Sequence, residues 1–395
     1  MNREGVRSPF FLRRSVALTI WRWIFNLSIL GIFLLIIFNR FDLSIHIYLA
    51  GESSLLNNFG LLVTAVILIL FFTSTIHELG HLLAGRLAHL KFHLLIIGPL
   101  HIARSKTGVS FGWQWGNAMF NGLAACIPEE MDDLRRRMLY FAAGGPLASF
   151  LLMIGAGLVA FSLNENRVVQ REYFWMWECA LFTTIVSYFF FLTSMKPGMY
   201  HTGLPADGSR ILMLLRNDLE AERWCALVAL NSADIQGVRP FAWDDHLLHF
   251  STKLEDHSYD YLMLNLMQYQ ALLDKGDIEQ SLHVLDHIMQ LQIAWESGVR
   301  ALLALEQAYI YGRYYQDAAK AEDWLRQVKQ NRSQQALQLR AETAVLFAQN
   351  KPVETLVKAE ETIRKLNSQL PTGVVQAEMA WMEEMIQLVQ TEKFP

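Results

Sequence analysis

The segment Thr73–Gly85 reads TSTIHELGHLLAG, and within it His77-Glu78-Leu79-Gly80-His81 forms an H-E-x-x-H motif. On a helix, residues i and i+4 share a face, so both imidazoles can reach one ion. Glu78 sits beside the first imidazole, where it can take a proton from metal-bound water. Two neutral histidines, an open coordination position and a carboxylate base are the parts of a zinc hydrolase site. Zinc lowers the pKa of bound water toward ~7, which makes hydroxide available at neutral pH. The competing reading is a polar helix end that merely contains two histidines. Placement opposes it, because the motif follows directly on the uncharged apolar run Phe59–Ile76. Imidazoles and a carboxylate at a membrane edge are costly unless they have partners.

A third protein ligand is needed. The H-x-x-G-x-x-H continuation is absent, since Ala84 and Leu87 stand where its Gly and His would be. Asp207, in GLPADGSRILMLL, is the better candidate. It also suits the N-cap of a helix starting near Ser209, a position that favours Asp. Spacing alone leaves both readings open. Glu178 is a further intramembrane acid. A Glu as third ligand would make a different membrane-embedded peptidase, but its place near the outer boundary favours an interfacial role.

Elements must carry these residues. The chain has 395 residues, of which 52% are hydrophobic and 18% charged. Residues 1–210 have a net charge of +5 and residues 211–395 one of −9. A basic, apolar first half before an acidic second half predicts a membrane domain followed by a soluble one. No basic tract resembles a nucleic-acid footprint. A span needs roughly 20 apolar residues, and four segments qualify: about 15–38, 56–84, 138–163 and 173–195. The basic N-terminus lacks a small-residue cleavage site after a short apolar core, so the first segment reads as retained. Four Arg precede the first span, and seven Lys or Arg lie between Arg86 and Arg137, while the other two loops are poor in them. That bias places the N-terminus, the central loop and the C-terminal half in the cytoplasm, as in a multi-pass protein of the cell membrane. Cys126, Cys179 and Cys225 form no CxxC pair and read as small buried hydrophobes.

The central loop is not helical in character. His93–Trp113 has a Gly98-Pro99 break between alternating apolar runs, which predicts a β-hairpin or small sheet within residues 92–120. Backbone of this kind near a membrane must be paired or line a cavity. His89, His93, His101 and His201 lie nearby in sequence and read as surface or lining residues.

Together HELGH in one span, AAGGPLASFLL in a later one and Ala206-Asp207-Gly208 after the next resemble the site-2 protease family, M50-type intramembrane zinc metalloproteases. The likeness covers about residues 55–215. It implies a three-helix catalytic core with one Zn2+ per chain held by His77, His81 and Asp207, and Glu78 as general base. It also implies a re-entrant sheet beside the site, whose free edge would bind an unwound substrate strand. Gly145 and Ser149 fall where the family has Gly-x-x-x-Asn beside the zinc, Ser149 replacing the frequent Asn. Read from the residues alone, Gly144, Gly145 and Ala148 suit tight helix packing. Pro-Ala-Asp-Gly also departs from the common Leu-Asp-Gly.

Beyond a helical connector at 211–260, residues 261–395 read as helical hairpins. Turns fall at Lys275-Gly276-Asp277, at Gly312 and at Asn350–Pro352. Ser281, Ala319 and Leu356, 38 and 37 residues apart, give a period that resembles tetratricopeptide-like α-hairpin repeats. A non-repeat helical bundle is the alternative.

The expected fold is therefore mainly α: a polytopic membrane helix bundle of about four spans with a small re-entrant β-hairpin or sheet, then an α-helical hairpin-repeat domain. The expected function is zinc endopeptidase action on membrane-spanning proteins near the cytoplasmic face, with the repeats docking substrate or a regulator. The alternative is a catalytically inactive membrane scaffold acting through its repeats.

Overall fold

Asn58 starts the first long helix, its side chain accepting a hydrogen bond from the Leu61 N–H at 3.2 Å. This helix, α1 (Phe59–Leu87), has 29 residues, or about 43 Å at 1.5 Å per residue. It ends where His89 takes a left-handed φ of 57°. The protein is described by a computed structural model covering residues 19–28, 31, 54–105, 108–113, 122–164, 166, 168, 172–198, 205–291, 299–328 and 334–391. Two compact units form among them, one running through Arg216 and the other from Asn217.

In the first unit α1 leads into four antiparallel strands, β1 (Leu90–Ile97), β2 (Leu100–Ser105), β3 (Gly108–Trp113) and β4 (Gly122–Pro128), ordered β3-β2-β1-β4. Ile97 pairs with Leu100 across a two-residue loop, and Gly98 supplies the positive φ (54°) such a hairpin requires. Leu95 faces Ile102 on one side and Ala124 on the other. The sheet therefore reaches from 90 to 128, beyond the expected 92–120. Its fourth strand, a short apolar run without alternation, carries no strand signature in the sequence.

Two more long helices follow, α2 (Leu134–Asn164) and α3 (Phe174–Ser194). Among the described residues three helices, α1 to α3, are thus long and apolar enough to cross a membrane. Their bounds differ by a few residues from the expected spans at 56–84, 138–163 and 173–195; α2, for one, starts earlier and takes in the charged run Arg135–Arg137. Of the first expected span, residues 19–28 are helical; most of the remainder lies outside the described residues. Helix α4 (Asp207–Arg216) completes this unit. Arg137 on α2 ties the end of α1 down, donating to the carbonyls of Ala88 (2.8 Å), His89 (2.5 Å) and Glu130 (2.5 Å).

The second unit is helical: α5 (Leu219–Ile235), α6 (Tyr259–Asp274), α7 (Ile278–Met289), α8 (Arg300–Arg313), α9 (Ala318–Arg326), α10 (Gln335–Ala348), α11 (Pro352–Asn367) and α12 (Gly373–Gln390). A 3-10 turn (Pro240–Ala242) and two four-residue helices (Asp245–Leu248 and Phe250–Lys253) occupy the stretch between α5 and α6. Three hairpins, α6–α7, α8–α9 and α10–α11, each turn on a residue of positive φ: Gly276 (83°), Gln316 (54°) and Asn350 (56°). The next residue is the N-cap. Asp277 and Asp317 accept from the backbone three residues on, while Lys351 is followed by Pro352 at the first helical position. Gly312 is therefore not a turn residue. It lies inside α8, where a Cβ would collide with the Ala344 backbone of α10. The small-residue register also shifts. Four residues after each N-cap stand Ser281, Ala321 and Thr355, all fully buried, whereas Ala319 is exposed. The expected Ser281–Ala319–Leu356 equivalence followed even spacing, but the hairpins differ in length.

The core of this unit encloses an ion cluster. Arg340, 1% exposed, places Nη2 2.5 Å from Glu306 and Nη1 3.2 Å from Glu378, with Tyr309 stacked 4.4 Å from the guanidinium. Tyr269 donates to the other Glu306 oxygen at 2.7 Å. Arg340→Leu would leave two buried carboxylates without a counter-charge, and should cost about 3–5 kcal/mol by thermal unfolding of the full-length protein. Burial pushes Glu378 up to about 7, against the pull of Arg340 and with the help of Glu306 and Asp234. The unfolded chain releases that proton near ~4.3, so stability falls as pH rises across the interval between the two values. Glu378→Gln should flatten this fall in melting curves taken between about pH 5 and pH 8.

Candidate metal centre

Gly80 and Gly144 bring α1 and α2 together at backbone distance. A Cβ on either would strike the other's carbonyl, so only glycine permits this approach. One residue on, Gly145 faces the imidazoles, and a Cβ there would overlap the Nε2 atoms of His77 and His81. Thus the AAGG stretch sets the middle helix against the motif helix at the level of the histidines. Pro146 lies in the same turn of α2, where it removes the donor that would serve the Ala142 carbonyl.

The two imidazoles are held from behind. His77 Nδ1 lies 2.9 Å from Ser149 Oγ, and His81 Nδ1 lies 2.8 Å from the Phe141 carbonyl. The Phe141 carbonyl only accepts, so His81 carries its proton on Nδ1 and presents a lone pair at Nε2. The Gly145 N–H at 3.4 Å from the same Nδ1 is the weaker contact. His77 takes the same tautomer when Ser149 accepts. The two Nε2 atoms are 3.3 Å apart, and Asp207 Oδ2 lies 3.2 Å from one and 3.5 Å from the other. Burial raises the Asp207 pKa, but the two histidine contacts outweigh it and hold the carboxyl down at about 2. Two lone pairs and a carboxylate oxygen therefore converge on one point. These groups repel one another unless a proton or a cation lies between them. Two nitrogens and one oxygen leaving an open position suit Zn2+, so the donor set fits the metal expected from the sequence.

Asp207 owes its place to α3 and α4. It is the first residue of α4 and turns its carboxylate to the imidazoles. A Cβ on Gly208 would enter the Met195 backbone at the end of α3. The Ala206 N–H and the Ser209 hydroxyl both donate to the Gly198 carbonyl, at 2.9 and 2.8 Å. At the other end of α4, Arg135 donates to the Leu214 carbonyl at 3.0 Å. Glu178 plays a different part. It is 2% exposed and accepts from Ser54 Oγ and the Leu55 N–H, both at 2.7 Å. Phe190, whose ring is 6.3 Å from that of His77, lies twelve residues further along α3, or about 18 Å away. Glu178 is an anchor for the turn before α1, far from the imidazoles.

Glu78, 7% exposed, points toward β4. The Ala124 backbone N–H donates to it, and Gly122 leaves room for its carboxylate, which a Cβ would overlap. The family resemblance implies a sheet beside the site, but β4 itself lies beyond the expected residues 92–120. Its one legible trace is Gly122 at the head of a short apolar run. Among the described residues, His89, His93 and His101 stay outside the cluster; His201 falls outside them. Among the described residues Cys126, Cys179 and Cys225 form no disulfide, and Cys126 packs near Gly85.

Ser149 tests the support of the site. Ser149→Ala removes the acceptor that orients His77 and should weaken zinc binding about 10- to 100-fold, read by chelator competition, with the fold unchanged by circular dichroism.

The family model described as peptidase family M50 matches residues 65–392. No curated protein and no solved structure matches the chain. The match spans the helix that carries the histidines, the sheet, the glycine contact and Asp207, and the chain belongs to peptidase family M50, the site-2 protease family.

Proposed function

We propose that this protein is an intramembrane zinc endopeptidase that hydrolyses peptide bonds of membrane-spanning proteins near the cytoplasmic face. The observation that carries the reading is the convergence of His77 Nε2, His81 Nε2 and Asp207 Oδ2, with Glu78 beside them. Family membership supports a peptidase of the metallo type. Zinc, when bound, supplies Lewis acidity toward water and toward the scissile carbonyl.

The chain's own residues do the rest. His77 and His81 are locked with Nε2 forward by Ser149 and Phe141. Glu78 accepts the proton that the attacking water gives up and returns it to the leaving nitrogen. Strand β4 presents the substrate. It pairs with β1 on one side, and the Ala124 N–H leaves the other side to meet Glu78. An extended segment adding to that edge would lay its peptide bonds along the Glu78 carboxylate. Strand addition also removes an obstacle, because a helical substrate shields its peptide bonds within its own hydrogen bonds. The lysine and arginine bias of the loops supports a cytoplasmic N-terminus and C-terminal unit in the cell membrane. The hairpins of residues 261–395 fit a tetratricopeptide-like surface that recruits substrate or a protein regulator.

Cleavage of a tagged single-span substrate tests this reading. Glu78→Gln should retain one zinc per chain and lose cleavage by at least about 100-fold. His77→Ala should lose both. Equal cleavage by wild type and Glu78→Gln would overturn the assignment.

A further inference from the structure

A hydroxyl in an apolar span has a default partner, the carbonyl four residues before it on its own helix. The spanning helices use it repeatedly. Thr64, Thr75, Thr183, Thr184 and Thr193 donate to the carbonyls of Gly60, Phe71, Cys179, Ala180 and Phe189, at 2.7–2.8 Å. Thr73 and Ser187 do not. Both are 0% exposed, and among the described residues neither hydroxyl has a hydrogen-bond partner. Such a buried group ordinarily finds protein or water.

Their positions coincide in depth. The end of α3 meets α4 at Gly208, and Asp207 beside it meets His77 and His81 near the end of α1. Helices α1 and α3 therefore run parallel toward Asp207. The His77 and Phe190 rings are in contact across them. Thr73 precedes His77 by four residues and Ser187 precedes Phe190 by three, so both lie about one turn further from Asp207. A third hydroxyl belongs to the same layer. Ser149 of α2 is 0% exposed and its Oγ lies 2.9 Å from His77 Nδ1; with the His77 proton on Nδ1, the Ser149 hydroxyl proton is left to be placed. Each of the three helices thus carries one buried hydroxyl at about this level.

We propose that Thr73, Ser149 and Ser187 form an internal water site, one turn deeper in the bundle than the metal centre. Three hydroxyls offer a water the two to four partners that buried waters ordinarily make. The role assigned to it rests on the endopeptidase reading. Each hydrolysis consumes one water, whose oxygen enters the new carboxyl group and whose proton reaches the leaving amine through Glu78. A substrate strand on β4 obstructs entry from the cytoplasmic side, and water held behind His77 replaces the molecule consumed.

Radiolytic labelling in 18O water, applied to the full-length zinc-loaded protein in nanodiscs, reads the site without reference to activity. Wild type should incorporate 18O at Phe190; Thr73→Val should lose it and Thr73→Ser should keep it. No label at Phe190 in wild type, or label unaffected by Thr73→Val, would overturn the water site. Melting temperature adds a second reading. An isosteric valine raises it if the Thr73 hydroxyl is dry, and lowers it or leaves it unchanged if a water is bound. A rise would overturn the site as well. For the supply role, Thr73→Val and Ser187→Ala should each lower kcat about tenfold with KM and zinc content unchanged. Unchanged kcat in variants that have lost the label would overturn that role and leave the water site standing. Failure of wild type to cleave any substrate would overturn the endopeptidase reading, while labelling would still decide the site.

Discussion

Two imidazole lone pairs and a carboxylate oxygen within 3.5 Å of one another, at the end of an apolar helix, are the constraint on which the first unit depends. Such a group is unfavourable in a low-dielectric setting unless something positive joins it. The surrounding architecture holds it together. Ser149 and the Phe141 carbonyl take the Nδ1 atoms, and the backbone around Gly198 and Met195 fixes the start of α4 so that Asp207 faces inward. Each support comes from a different element than the ligand it serves. The cluster therefore exists only in the folded bundle.

Glycine makes that bundle possible. Gly80 against Gly144 replaces side-chain packing with backbone contact, and Gly145 leaves the space the imidazoles fill. In a membrane, where no hydrophobic force separates helix from lipid, close approach of this kind is a main source of helix association. The same residues thus serve stability and chemistry. An alanine at 145 would disturb the ligands before it disturbed the helix. The second unit uses the device again, with Gly312 pressed on the Ala344 backbone, and its core packs aliphatic and aromatic side chains, Tyr309 and Trp381 lying against a buried arginine. There, Glu306 and Glu378 balance Arg340 in a space that excludes water, so the unit depends on a charge balance as well as on apolar burial.

The histidine–aspartate cluster and the sheet meet at Glu78. Strand β4 provides one wall for its carboxylate through the Ala124 N–H and the absence of a side chain at Gly122. Among the described residues β4 is an edge strand, paired only with β1. Most soluble proteins protect such an edge. Here it stands next to the Glu78 carboxylate.

What the sequence determined alone is what depends on local spacing. The i, i+4 histidines, the adjacent glutamate, the apolar lengths of α1 to α3 and the Gly98 hairpin are legible because each follows from helix or strand periodicity within a few residues. Asp207 was readable as a ligand or as an N-cap, and nothing local separates these, since both need an exposed carboxylate at a helix start. The tertiary structure sets α4 against the end of α3 and so brings the Asp207 carboxylate to the two imidazoles. The same holds for β4, whose partner lies some thirty residues away, for Glu178, an anchor rather than a ligand, and for the repeat register, where Ala321 and Thr355 replace Ala319 and Leu356. The orphaned hydroxyls of Thr73 and Ser187 are invisible in sequence, where they look like the threonines that bond to their own helix. A side chain's partner is a property of distance in space, and only the packed bundle supplies that distance.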